Sequence, residues 1–181
     1  CRYKFLLIDD QPLVESHNLR RRVNQAVKRK APVLRLDAPW ETDRDQLNYV
    51  CVLYDEEEQI FKMWYTLMRW QGTTSDGPRG VAYATSQDGL QWEKPVLRLI
   101  EVDGSRENNM VVSFKRNFVY TILKDPSDIA ARRYKMIFST YAEEALWARH
   151  HSTLNLAYSH DGLHWERPRH VNPVLRGISD D

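Results

Sequence analysis

Only two cysteines, Cys1 and Cys51, occur in the chain's 181 residues, so no disulfide framework organises it. Cys51 lies in an apolar run and is expected to be a buried thiol. Cys1 is read as incidental rather than as a lipid-bearing residue. No apolar stretch reaches the roughly 18 residues of a membrane-spanning helix, and no signal peptide is visible. An excess of one charge is also missing: 26 Lys and Arg face 25 Asp and Glu, and a net charge of +1 sets up no field for a polyanion. The basic stretches Arg20-Arg21-Arg22 and Lys28-Arg29-Lys30 have no stacking aromatics among them. They are read as a solvated surface rather than a nucleic-acid site. A Gly-rich phosphate loop, a nucleophile elbow and zinc-ligand spacing are all lacking, so neither a metal nor an organic cofactor is expected.

What is plentiful is aromatic. Nine Tyr, six Trp and five Phe favour strands and also suit sugar-binding surfaces. With 42% hydrophobic and 28% charged residues, the chain can bury a core and reads as globular rather than disordered.

A repeat organises these residues. Ser86, Asp88, Gly89, Leu90, Trp92, Glu93 and Pro95 match Ser159, Asp161, Gly162, Leu163, Trp165, Glu166 and Pro168 at an offset of 73, which also carries Lys62-Met63 onto Lys135-Met136. Upstream the offset falls to 70, between Asp55 and Asp125, so the second hairpin is three residues longer. The first unit reads as strands over 49–54, 61–68, 81–85 and 90–92, with a loop over 72–80. The second reads as strands over 118–123, 134–140, 154–158 and 163–165. The expected fold is all-β, with β-propeller blades of four antiparallel strands. Residues 1–48 form a lead-in, 49–106 blade one, 107–176 blade two and 177–181 the start of a third. In each Ser-x-Asp-Gly-x-x-Trp turn, Gly supplies positive φ, Asp and Ser bind backbone amides, and Trp packs beneath. Both aspartates are therefore expected to be scaffold.

The turn resembles the Asp-box of sialidase propellers, with one residue fewer between Asp and Trp. The whole chain more closely resembles the five-bladed propeller superfamily of glycoside hydrolase families 43 and 32, in particular a bacterial, family 32-like branch. The residues that carry this are Leu6 to Asp10, Ala38 to Glu41, Val52 to Asp55 with Phe61 to Tyr65, Leu123 to Pro126 with Arg133 to Met136, Ala157 to Glu166, and Asn172 to Gly177. The resemblance implies a pocket on the central axis, carbohydrate as partner, no cofactor, and an extracytoplasmic or secreted protein. Two blades of such a ring fill this sequence, so the expectation is an N-terminal portion, or a ring completed by other chains.

In such propellers the pocket is lined from the start of each blade's innermost strand. Sixteen residues beyond Trp92 lies Asn108, and sixteen beyond Trp165 lies Asp181. Counting back from Asp55 by the distance between Asn109 and Asp125 reaches Pro39-Trp40-Glu41. Glycoside hydrolysis needs two carboxyls, one kept protonated. The candidate catalytic residues are therefore Glu41, Asp45 and Asp181, with Asp43 and Asp180 beside them. Blade two offers Asn108 and Asn109 where the family has an aspartate, which suits hydroxyl binding better than acid–base work. Trp40, Asn108, Asn109, Arg69, Trp70 and Trp147 are the substrate-binding candidates. His150 and His151 are adjacent, so on a strand they face opposite ways and make no metal pair. Asp125 precedes Pro126 after a strand and reads as a turn acid. Two functions follow: a glycosidase, or a non-catalytic propeller that binds a glycan or protein.

Overall fold

Alternation of apolar and polar side chains over most of the sequence gives strands, and strands dominate the computed structural model. It describes residues 15, 17, 18, 20, 22–71, 74–113, 117–141 and 152–178. The chain divides into two units, Cys1–Ala31 and Pro32–Asp181. In the first, the described residues are exposed and form no helix or strand.

Among the described residues the second unit holds eight strands: β1 (Asp45–Asp55), β2 (Ile60–Gln71), β3 (Thr74–Ser86), β4 (Met110–Val112), β5 (Asn117–Lys124), β6 (Tyr134–Tyr141), β7 (Ser152–Ser159) and β8 (Leu175–Ile178). They form two four-stranded antiparallel sheets, ordered β1-β2-β3-β4 and β5-β6-β7-β8. Sequential, antiparallel and four strands wide, each sheet has the architecture of a propeller blade.

Two features of the expected strand pattern are corrected. Residues 90–92 and 163–165 are not fourth strands; they belong to the Trp turns and return only as single bridges, Thr85 to Glu93 and Tyr158 to Glu166. The fourth strands come later, at β4 and β8, after an irregular crossing that hydrophobic spacing does not reveal. The expected loop over 72–80 is also largely strand, because β3 begins at Thr74 and pairs with β2 out to Gln71.

β2 is buried on both sides, and its alternation shows why. Met63, Tyr65 and Leu67 face a cluster with Ala82, Ala84 and Met110, covered by Leu34, Leu36, Trp92 and Ile100. Trp64 faces the other way, into a core shared with Val119, Ile122, Tyr134, Met136 and Phe138 of the second sheet. This shared core joins the blades. Trp64 Nε1 donates to the Gly162 carbonyl at 2.7 Å. Cys51 is half-buried with a free thiol, which donates to the Ile122 carbonyl at 3.0 Å.

The two Trp turns are superimposable in their bonding. Ser86 Oγ accepts the Gly89 N–H at 2.9 Å, and Ser159 Oγ accepts that of Gly162 at 2.8 Å. Asp88 Oδ1 accepts the Leu90 and Gln91 N–H groups at 2.8 Å, and Asp161 Oδ1 accepts those of Leu163 and His164 at 2.8 Å. Each indole donates to its own turn's glycine carbonyl, at 3.2 Å for Trp92 and 3.0 Å for Trp165.

Candidate functional site

The segment leading into β1 makes two successive turns, each closed by a carboxylate. The Glu41 N–H donates to the Ala38 carbonyl at 2.9 Å while Glu41 Oε2 accepts the Ala38 N–H at 2.9 Å. Asp45 repeats the pattern on Thr42, its Oδ2 accepting the Thr42 N–H at 2.8 Å. Short acidic side chains three residues on satisfy amides that would otherwise have no partner. These turns bring Trp40, Glu41 and Asp45 against the far end of β2.

Glu41 has no exposed side-chain surface. Its Oε2 also accepts Lys94 Nζ at 2.5 Å, and its Oε1 accepts the Tyr65 hydroxyl at 3.2 Å. Burial, together with the nearby Glu41 charge, pushes the Tyr65 hydroxyl far above its ordinary range, so it stays a donor. Asn109 is fully buried and donates to Tyr65 Oη at 2.8 Å and to the Tyr83 carbonyl at 2.6 Å. Trp40 Nε1 donates to Asn109 Oδ1 at 2.9 Å. Three residues singled out from the sequence, Trp40, Glu41 and Asn109, thus meet in one network through Tyr65.

Beside it lies an ionic square. Asp45, also without exposed side-chain surface, binds Arg69 at 3.2 Å and Arg79 at 2.8 Å. Both arginines also reach Asp103, Arg69 at 2.9 Å and Arg79 at 2.5 Å. Partial burial pushes the Asp103 carboxyl upward, but the two guanidinium groups outweigh it and hold it below the usual range. Trp40, Thr42, Arg79, Asp103, Ser105 and Glu107 border a cavity of about 320 Å³.

The remaining candidates are distributed as follows. Asn108 is buried and satisfied locally: it donates to the Ile100 and Ser105 carbonyls at 3.0 and 3.1 Å and accepts the Met110 N–H at 2.9 Å. Asp43 is exposed. Trp70 lies in β2, with only its backbone described. Trp147, His150, His151, Asp180 and Asp181 lie outside the described residues. Sequence reasoning missed Tyr65, Arg79, Lys94 and Asp103. For Lys94 a signal existed, since the repeat keeps a cation before proline in both turns, Lys94-Pro95 and Arg167-Pro168. Tyr65 and Arg79 become site residues only through the pairing of β1, β2 and β3, and Asp103 only through the path of the segment between β3 and β4.

Two joined four-stranded blades, with a Trp-bordered cavity at one blade's end, define a portion of a β-propeller. No family model matches the sequence, and no curated protein does. Among solved structures the chain is similar to Bombyx mori GH32 beta-fructofuranosidase BmSUC1, 15% identical with a TM-score of 0.46, over 77% of this chain and 25% of that one. The chain therefore spans about a quarter of the length of that protein.

Proposed function

We propose that this chain is part of a carbohydrate-acting β-propeller and that the cavity beside Trp40 takes a sugar. The observation that carries the reading is the composition of that cavity's rim. An indole lies beside a guanidinium, two carboxylates and two hydroxyl residues, Arg79, Asp103, Glu107, Thr42 and Ser105. Sugar recognition uses an apolar face for the C–H surface of the ring and charged, forked groups for its hydroxyls. The resemblance of the chain to glycoside hydrolase families 43 and 32 supports the same substrate class. The proposal places the protein outside the cytoplasm, and it includes completion of the ring by further blades. The edge strand β1 supports this, because Tyr49, Val50, Val52 and Tyr54 on it are 43–48% exposed.

Binding is better supported than hydrolysis. A glycosidase keeps one carboxyl protonated. Glu41 and Asp45 are sealed in ion pairs, and Asp103 and Glu107 are held below the usual range. For Glu107 the cause is the bidentate hydrogen bonding of Arg98. Hydrolysis is the second reading; it needs two carboxyls, and Asp181 is the candidate for one of them.

The test is fluorescence titration with arabinan- and inulin-derived oligosaccharides, followed by an assay for released reducing sugar. Saturable binding is expected, weakened about tenfold or more by Trp40→Ala and largely kept by Trp40→Phe, which preserves an aromatic face. Binding unaffected by Trp40→Ala, or none to either series, overturns the assignment. Cleavage that is lost in Asp181→Asn establishes the second reading.

A further inference from the structure

The second Trp turn carries a group of side chains that the turn itself does not need. His160 and His164 flank Asp161, and one ligand atom from each of the three lies within 4.8 Å of the others. His164 Nδ1 is 2.7 Å from Asp161 Oδ2, and His160 Nε2 is 3.3 Å from the same oxygen. The two imidazoles stack with centroids 5.9 Å apart and planes 16° apart.

The carboxylate divides its work. Oδ1 holds the turn, accepting Ser159 Oγ and the Leu163 and His164 N–H groups. Oδ2 faces only the imidazoles among its described hydrogen-bond and ion-pair partners.

The first turn is the internal control. It makes the same Ser, Asp, Gly and Trp hydrogen bonds with Gln87 and Gln91 where the second has His160 and His164. The histidines are therefore dispensable for the fold of the turn, and their convergence on Oδ2 calls for another account.

We propose that His160, Asp161 and His164 form a binding site for a borderline divalent cation of the zinc type. Two imidazoles and one carboxylate are the donor set such ions take. Ligand bonds of roughly 2.0–2.2 Å put tetrahedral ligand atoms roughly 3.3–3.5 Å apart, so modest rotation of exposed imidazoles meets the geometry. A cation held by His164 Nδ1 and Asp161 Oδ2 replaces the hydrogen bond between them. Three ligands leave a coordination position open. Both histidines border a cavity of about 430 Å³, which Glu166 also lines. Spacing alone does not expose this cluster, because the two histidines come together only through the bend of the turn. The inference is independent of the sugar-binding reading, since no residue is shared between the two sites.

The experiment is calorimetric titration of the chain with zinc chloride near neutral pH, beside a His160→Gln/His164→Gln variant that copies the first turn. One zinc per chain is expected, with affinity reduced about tenfold or more in the variant. Circular dichroism checks that the variant keeps its fold. In the reverse variant, Gln87→His/Gln91→His, a second zinc per chain is expected. The proposal fails if the chain and the double-glutamine variant bind zinc with the same stoichiometry and affinity, which would place the metal on other histidines. It fails equally if the parent chain binds none.

Discussion

Single residues in this protein are constrained less by chemical type than by what the neighbouring blade places beside them. Gly89 and Gly162 occupy the same position of the same turn, with φ of +70° and +81°. A Cβ on Gly89 would meet the Phe61 ring at 3.6 Å, an ordinary contact. A Cβ on Gly162 would meet Trp64 Cζ2 at 2.7 Å, closer than the neighbour can accept without moving. Gly89→Ala is therefore expected to cost about 1–2 kcal/mol, from left-handed backbone alone. Gly162→Ala should add an overpacking cost of about 1–3 kcal/mol and disturb the Trp64 environment. Urea unfolding of both variants, followed by indole fluorescence, checks the difference; equal losses would mean that the inter-blade contact carries no weight. The glycine was legible from the repeat, as were the roles of the Ser and Asp. The extra demand on Gly162 was not, since it comes from a residue 98 positions away. The same limit hides the state of Glu41 and Asp45. Their acidity and spacing can be read from the chain, but the cations Lys94, Arg69 and Arg79 that neutralise them arrive from separate elements.

At the scale of elements, the hairpin acid Asp55 shows how a turn residue becomes a joint. Its Oδ1 accepts the Glu57 and Glu58 N–H groups at 3.1 and 3.3 Å, as a turn acid should. The second blade then closes on it: Lys124 donates at 2.6 Å, the Tyr134 hydroxyl at 2.6 Å, and Lys62 of its own blade lies at 2.9 Å. The repeat counterpart Asp125 makes the turn bonds to Ser127 and an ion pair with Lys135 at 2.5 Å, but it remains 33% exposed. The turn reading of Asp125 agrees with this bonding, whereas Asp55 carries more than a turn. Asp55→Asn should cost about 3–5 kcal/mol, because it strands two cations in a buried joint. Asp125→Asn should cost far less, because water replaces the lost partner. The pH dependence has a definite sign. Burial raises the Asp55 carboxyl, but Lys124, Tyr134 and Lys62 outweigh it and hold it far below the usual range. A carboxyl lowered on folding contributes stability that is complete above its unfolded pKa of about 3.9 and is lost as pH falls toward its folded value. Asp125, held at about 2 by Lys135 and Ser127, acts in the same direction. Denaturation midpoints should be level at neutral pH and fall below about pH 4. Asp55→Asn should flatten that fall, and an unchanged acid limb would remove Asp55 from the joint.

For the molecule as a whole, the question is whether two blades behave as one body. Isolated four-stranded sheets of this size bury too little apolar surface to stand alone comfortably. Here the inward faces share a single cluster. Trp64 and Tyr83 of the first sheet pack with Tyr134, Met136 and Phe138 of the second, and the Asp55 joint closes one end of the same interface. Removing a core side chain from either sheet should therefore weaken both. Phe138→Ala takes a fully buried ring from the second sheet and should cost about 3–5 kcal/mol. Leu67→Ala removes a fully buried side chain on the opposite face of the first sheet, at about 2–5 kcal/mol. The informative measurement is the coincidence of two probes: near-ultraviolet dichroism, dominated by the aromatic cluster between the sheets, and far-ultraviolet dichroism, which reports strand content throughout. In the parent chain both should give one transition at one urea midpoint, since no cluster belongs to the second sheet alone among the described residues. In Phe138→Ala both midpoints should move together. If the far-ultraviolet signal instead splits, with the first sheet surviving at higher urea, then its second cluster, formed by Met63, Tyr65, Leu67 and the covering Leu34 and Leu36, is sufficient by itself. The blades would then be separable units joined at an interface, and the Trp turns would serve as local hairpin locks rather than as the seams of one cooperative fold.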